Sequence, residues 1–265
     1  MTYEKIQLKI SNAVLHCYVS EVSTQYSISK RPAILICPGG GYSMTSDREA
    51  EPIARAYMAQ GYSAFILRYT TAPIEDEYLP LAEASESMKI IRERADEWNI
   101  ISDNIAVIGF SAGGHLAASL ATMWNDEGLR AKYGFEGEIN KPNAAILCYP
   151  VITGGKFAHR GSFKNLLHED DPNGEKTTYW SLENRVSDKT PPCFIWHTAS
   201  DAGVPVENSL IFSMALSNAK IPFELHVFPE GVHGLSLATR EVRPEADPYI
   251  GRWVELSAKW LSKLW

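Results

Sequence analysis

The chain has 265 residues, 45% of them hydrophobic and 22% charged, and its 25 basic against 32 acidic side chains give a net charge of −7. That apolar fraction in a chain this long can bury a large core, which excludes disordered, collagen-like and small disulfide-scaffold classes. The acidic balance, with no basic block, excludes an electrostatic binder of nucleic acid or of an anionic membrane.

Ile6 to Ile10 alternates apolar and polar, and Val14 to Val19 does so more loosely, so both read as half-solvated antiparallel strands at a sheet edge. The runs 33–37, 64–67, 105–108, 144–148 and 193–196 are continuously apolar, as strands covered on both faces of a parallel sheet must be. Between them lie helical patterns at about 47–60, 79–98 and 112–124. Later come a helix at about 206–219, a strand at Phe223 to Phe228, and a last amphipathic helix from about Pro248. This alternation predicts right-handed βαβ crossovers and a mostly parallel α/β sheet with helices on both faces.

Residues 151–190 break the rhythm. This forty-residue stretch carries Gly154-Gly155, the polar tract His168 to Gly174, and the apolar and aromatic residues Phe157, Phe163, Leu166, Leu167, Tyr179 and Trp180. It is too long for an ordinary connection and reads as an insertion, either a lid that shapes a pocket or a satellite cluster on the sheet. With no repeat and no Ser/Gly-rich linker, residues 1–265 are expected to form one domain carrying that insertion. Cys17, Cys37, Cys148 and Cys193 adjoin apolar residues and form no CxxC pair, so they read as buried free thiols. The N-terminal residues lack an apolar signal core, which makes a cytoplasmic location the expectation.

Asn104 to Asn125 holds no charged residue over 22 positions, long enough for a membrane helix by length alone. Gly109, Ser111, Gly113, Gly114 and His115 interrupt it midway, so it reads as buried strand, tight turn and buried helix. The turn, Gly109-Phe110-Ser111-Ala112-Gly113, matches G-x-S-x-G in the strand–turn–helix setting that gives the pattern meaning. A serine there adopts a strained backbone, and side chains at 109 and 113 would clash with neighbouring backbone. A helix N-terminus behind Ser111 places free N–H groups beside any oxyanion.

Three further segments follow strands. Cys37-Pro38-Gly39-Gly40-Gly41-Tyr42 can turn successive N–H groups into one concavity, and no phosphate-loop pattern accompanies it. Trp196 to Asp201 ends in an acid, and Phe228 to Gly234 contains His233. Residues just past the carboxyl ends of parallel strands gather on one sheet edge, so Ser111, Asp201 and His233 can meet, in the chain order of the α/β-hydrolase arrangement. Asp188 precedes its strand, Asp247 breaks the order, and Glu230 is a nearby charge. His16, His115 and His226 read as structural, His197 as a buttress of the acid loop. His159 and His168 show no ligand spacing, so no metal and no cofactor are expected.

These motifs, with Arg68-Tyr69 and Ala72-Pro73, resemble the α/β-hydrolase esterase/lipase family related to hormone-sensitive lipase, and more narrowly the bacterial acetyl esterases and acetylxylan-esterase-like proteins. The resemblance runs from about Arg31 to the C-terminus. The wider family has histidine before its three glycines where this chain has Pro38, but the backbone donors do not depend on that side chain. It implies oxyanion donors at Gly40, Gly41 and Ala112 and a triad of Ser111, His233 and Asp201. The expected activity is serine hydrolysis of small acyl esters through an acyl-enzyme, the ester substrate being an acetylated sugar or xylo-oligosaccharide. An aryl-formamidase or peptidase, or a non-catalytic binding protein on the same scaffold, stays open, as does homo-oligomerisation.

Overall fold

The continuous apolar runs become the central strands of one eight-stranded sheet in the computed structural model, which describes residues 1–169, 171–244 and 246–265. The strands are β1 (Thr2–Gln7), β2 (Val14–Val19), β3 (Arg31–Cys37), β4 (Ser63–Arg68), β5 (Ile100–Phe110), β6 (Ala144–Cys148), β7 (Cys193–Thr198) and β8 (Phe223–Phe228). Their order is β1-β2-β4-β3-β5-β6-β7-β8. The first two pairings, β1 with β2 and β2 with β4, are antiparallel, and every other is parallel. The carboxyl ends of β3, β5, β7 and β8 therefore lie on one edge, and each candidate motif leaves one of them.

The helices are α1 (Glu51–Ala59), α2 (Leu79–Glu93), α3 (Ala112–Met123), α4 (Glu127–Tyr133), α5 (Arg160–Leu167), α6 (Glu175–Tyr179), α7 (Glu207–Asn218), α8 (Pro248–Gly251) and α9 (Trp253–Leu264). Successive strand residues point to opposite faces, so each run feeds two cores. Leu35, Phe65, Val107, Leu147 and Ile195 pack with α2, α3 and α7, whereas Ile34, Ile36, Ile108, Ile146 and Trp196 pack with α1 and α9. Each such fully buried aliphatic side chain contributes about 1.5–3 kcal/mol. All four cysteines are buried and free. Among the described residues no helix is long and apolar enough to cross a membrane.

Several expected boundaries shift. The first strand is Thr2–Gln7, not Ile6 to Ile10: the chain turns after Gln7, and Glu86 accepts the Lys9 and Ile10 amides (3.0 and 3.3 Å). The second strand is interior, between β1 and β4. The pattern at 47–60 splits into a 3₁₀ turn, Asp47–Glu49, and α1, because Pro52 belongs in a first helical turn. The helix from Leu79 stops at Glu93, and the last helix is jointed at Arg252. Helix α4 was not expected; Asp126 caps it, accepting the Gly128 and Leu129 amides.

Candidate active site

The 22-residue uncharged run resolves into the end of β5, Ser111 and α3. Ser111 sits at φ 54°, ψ −119°, a conformation that costs on the order of 1–3 kcal/mol for a non-glycine residue. Its surroundings hold it there. The Ser111 N–H donates to the Cys148 carbonyl (3.0 Å), and the Ser111 carbonyl accepts from His115 and Val151 (3.1 and 3.0 Å). The flanking glycines are required by contact: a Cβ on Gly109 would lie 2.0 Å from the Gly113 oxygen, and one on Gly113 2.1 Å from the Cys37 oxygen.

The four loops bring Ser111, His233 and Asp201 together. Ser111 Oγ is 2.7 Å from His233 Nε2, and His233 Nδ1 is 2.7 Å from Asp201 Oδ2. Asp201 Oδ1 accepts the Gly203 and Val204 amides (2.8 and 2.9 Å). Burial opposes its ionisation, but the neighbouring N–H of His197, the hydrogen bond and charge of His233 and the Val204 amide outweigh it, holding the carboxyl well below the usual range. An ionised Asp201 accepts from Nδ1–H, which leaves the lone pair of Nε2 to accept the Ser111 hydroxyl. His197 stands behind: its Nε2–H donates to the Val204 carbonyl (3.0 Å) and lies 3.5 Å from Asp201, while Nδ1 accepts from Ser209 (2.7 Å).

The rival acids fall elsewhere. Asp188 lines a separate depression with Asp126 and Arg185, Asp247 caps α8, and Glu230 is exposed.

In the glycine loop, Gly40 (φ 132°) and Gly41 (φ 64°) occupy backbone conformations that side chains rarely adopt, and a Cβ on Gly40 would lie 2.2 Å from the Met44 oxygen. Neither amide donates to another described residue. The N–H of Ala112, first in α3, also lacks an intrahelical acceptor. The loop is pinned from three sides. Tyr69 donates to the Pro38 carbonyl (2.6 Å), the Tyr42 hydroxyl bonds His115 Nδ1 (2.9 Å), and the Gly39 N–H donates to Glu49 (2.9 Å). His115 Nε2–H in turn donates to the Trp180 carbonyl (3.0 Å), so His115 fastens the loop to α3 and to the insertion; burial pushes its pKa down to about 4.

Glu49 escaped the sequence reading. It is buried, accepts the Tyr149 hydroxyl (2.7 Å) as well as the Gly39 amide, and packs under the loop. Burial raises its pKa even though both bonds and the charges of His233 and Arg48 oppose the rise. Tyr149 also receives the Ser236 amide (2.9 Å), and its ring meets that of His233 edge-on at 5.2 Å.

A cleft of about 460 Å³ opens over Ser111, lined by Gly40, Gly41, Arg48, His159, Asn165 and His233 among others. The insertion supplies one wall through α5. Phe163 and Trp180 of the insertion are buried in the core and Tyr179 bonds Asp126 (2.6 Å), so none of these three lines the cleft.

The family model BD-FAE matches residues 22–216. The chain is 42% identical over 218 residues to endo-1,4-beta-xylanase B of Butyrivibrio fibrisolvens, a match covering 80% of this chain and 34% of that protein. It is 33% identical over 212 residues to an acetylxylan esterase of Xylanibacter ruminicola, covering 78% and 42%. The chain thus spans less than half the length of these two relatives. Among solved structures, the acetyl ester-xyloside bifunctional hydrolase of Caldicellulosiruptor lactoaceticus superposes with a TM-score of 0.82 at 38% identity, over 96% of this chain and 89% of that one. With the family model matched over more than half of its length, the chain belongs to the BD-FAE family, within the esterase/lipase group of α/β-hydrolases.

Proposed function

We propose that the protein is a serine carboxylic-ester hydrolase that removes small acyl groups, acetyl above all, from sugars or xylo-oligosaccharides. The observation that carries the reading is the linear relay Ser111–His233–Asp201, with both links at 2.7 Å, beside the unengaged amides of Gly40 and Gly41. As Ser111 Oγ attacks the acyl carbon, its proton passes to His233 Nε2. Asp201 holds the imidazole in the receptive tautomer and stabilises its cation. The carbonyl oxygen becomes an oxyanion that accepts from Gly40, Gly41 and Ala112; each such donor lowers the barrier by about 3–4 kcal/mol. Collapse breaks the bond to the alcohol oxygen, which takes the proton from His233. Water then repeats the attack and frees the acid and Ser111.

Glu49 positions the loop: by engaging Gly39 it turns the next two amides toward the cleft. The acetyl-ester and xylan names of the relatives support the substrate class. Glycoside cleavage, also in the neighbour's name, is in most families the work of two carboxyl groups facing across the scissile bond. Among the described residues lining the cleft only Glu49 carries one, and both its oxygens are engaged.

The test is a turnover panel of acetylated xylosides, aryl acetate, aryl butyrate, a long-chain ester, an aryl formamide and an aryl xyloside. Acetyl esters should lead, with the acetylated xyloside preferred. No turnover of any acetyl ester, or faster release from the formamide or the aryl xyloside, would contradict the reading.

A further inference from the structure

His159 is a half-buried titratable side chain that the mechanism above does not use, and it lines the same cleft as Ser111. It stands at the N-cap of α5, where its Nδ1 accepts the Ser162 N–H (3.2 Å) and faces Ser162 Oγ (2.8 Å). A ring nitrogen that accepts from a backbone N–H carries no proton, so the proton of the neutral ring lies on Nε2. Among the described residues nothing hydrogen-bonds to that nitrogen. Cε1, the atom between the two nitrogens, is 3.8 Å from where a Cβ on Gly41 would stand, so this ring edge borders the oxyanion loop.

The placement is rigid. Asn165, one turn and a half along α5, donates to the Gly41 carbonyl (2.8 Å), and Phe163, Leu166 and Leu167 anchor the helix in the core. Burial, then the charge of His233, lowers the His159 pKa against the opposing pull of Asp201, so the ring is a neutral donor at neutral pH. With no Phe, Tyr or Trp among the described residues lining the cleft, recognition of a polyhydroxylated alcohol falls to polar groups such as this one.

We propose that His159 determines alcohol specificity, donating from Nε2–H to a free hydroxyl on a carbon next to the esterified one, and so favouring esters of polyols over esters of simple alcohols. This rests on the ester-hydrolase reading. A built donor left unpaired by an analogue lacking its hydroxyl discriminates against that analogue strongly.

The experiment compares wild type, His159→Asn and His159→Gln on four acetyl esters: 4-nitrophenyl acetate, ethyl acetate, a mono-O-acetyl methyl xyloside, and the same xyloside with its remaining hydroxyls methylated. Asn is a strong N-cap, so His159→Asn keeps α5 while withdrawing the donor from the cleft. In wild type the free-hydroxyl xyloside should be preferred to its methylated form. His159→Asn should lower kcat/KM on the free-hydroxyl xyloside about 10- to 100-fold, mainly through KM, and change the two simple esters less than about threefold. His159→Gln, whose amide reaches further, should restore part of the loss. Equal losses on all four esters, or no loss on any, would overturn the role of His159 and leave the hydrolase reading standing. A wild type that cleaves none of the four would remove both.

Discussion

Gly113→Ala tests the coupling between the serine turn and the oxyanion loop. A Cβ at this position would lie 2.1 Å from the Cys37 carbonyl oxygen and 2.3 Å from that of Pro38. Ordinary carbon–oxygen contact requires the loop backbone to retreat by about 1 Å, since no flexible side chain stands between. Those carbonyls lead directly into Gly39, Gly40 and Gly41, so the retreat carries the candidate oxyanion donors with it. A misplacement of about 1 Å costs on the order of 100-fold in rate, and loss of one donor 100- to 1,000-fold. Overpacking adds about 1–3 kcal/mol of destabilisation, which for a domain of this size lowers Tm by roughly 2–12 °C. The assay is kcat on 4-nitrophenyl acetate beside a circular-dichroism melt. We expect kcat to fall at least about 100-fold while the protein remains folded at 25 °C. Wild-type kcat with an unchanged melt would refute the claim that these two loops are in rigid contact.

Glu49→Gln leaves an acceptor for only one of Gly39 and Tyr149; kcat on the aryl acetate should fall about tenfold with a change of about 1 kcal/mol or less in denaturant stability, and unaltered kcat would remove Glu49 from the account. His115 titrates at 6.5 when unfolded and at about 4 when folded, so as pH falls the unfolded chain takes up the proton first and the fold loses stability. That loss amounts to about 3 kcal/mol between pH 6.5 and 4. Urea unfolding of wild type and His115→Gln across this range should show a shallower acid decline in the variant; parallel curves would contradict it. Asp201→Asn should lower kcat by about 10⁴-fold and Asp188→Asn should leave it within about twofold, and the reverse pattern would show that the acid was wrongly chosen.

The serine turn was legible because its local requirements are written locally: a buried strand, small residues at 109, 113 and 114, and a helix after them. Asp201 and His233 were legible through topology, since parallel strands deliver their following loops to one edge. Glu49 was not. Its neighbours Asp47 and Arg48 are exposed, and it is buried only because the turn at 47–49 folds under the glycine loop to meet Tyr149, 100 residues further along the chain. His159 was set aside for want of metal-ligand spacing and given no other role, because its position beside Gly41 depends on how α5 folds back through Asn165. Alternation misled at Leu8 and Ile10, where apolar spacing persists past the strand although the Leu8 amide turns back to the Ala13 carbonyl and the carboxylate of Glu86 takes the amides of Lys9 and Ile10.

The central claim is that Ser111 is the nucleophile. Treating the protein with a serine-directed aryl phosphonate, then locating the adduct by peptide mass spectrometry, tests it most directly. A single adduct on Ser111, loss of aryl-acetate hydrolysis in step with labelling, and no adduct on a folded Ser111→Ala variant are the predicted results. An unlabelled Ser111 in a protein that still turns over aryl acetate, or full activity in Ser111→Ala, would contradict the account.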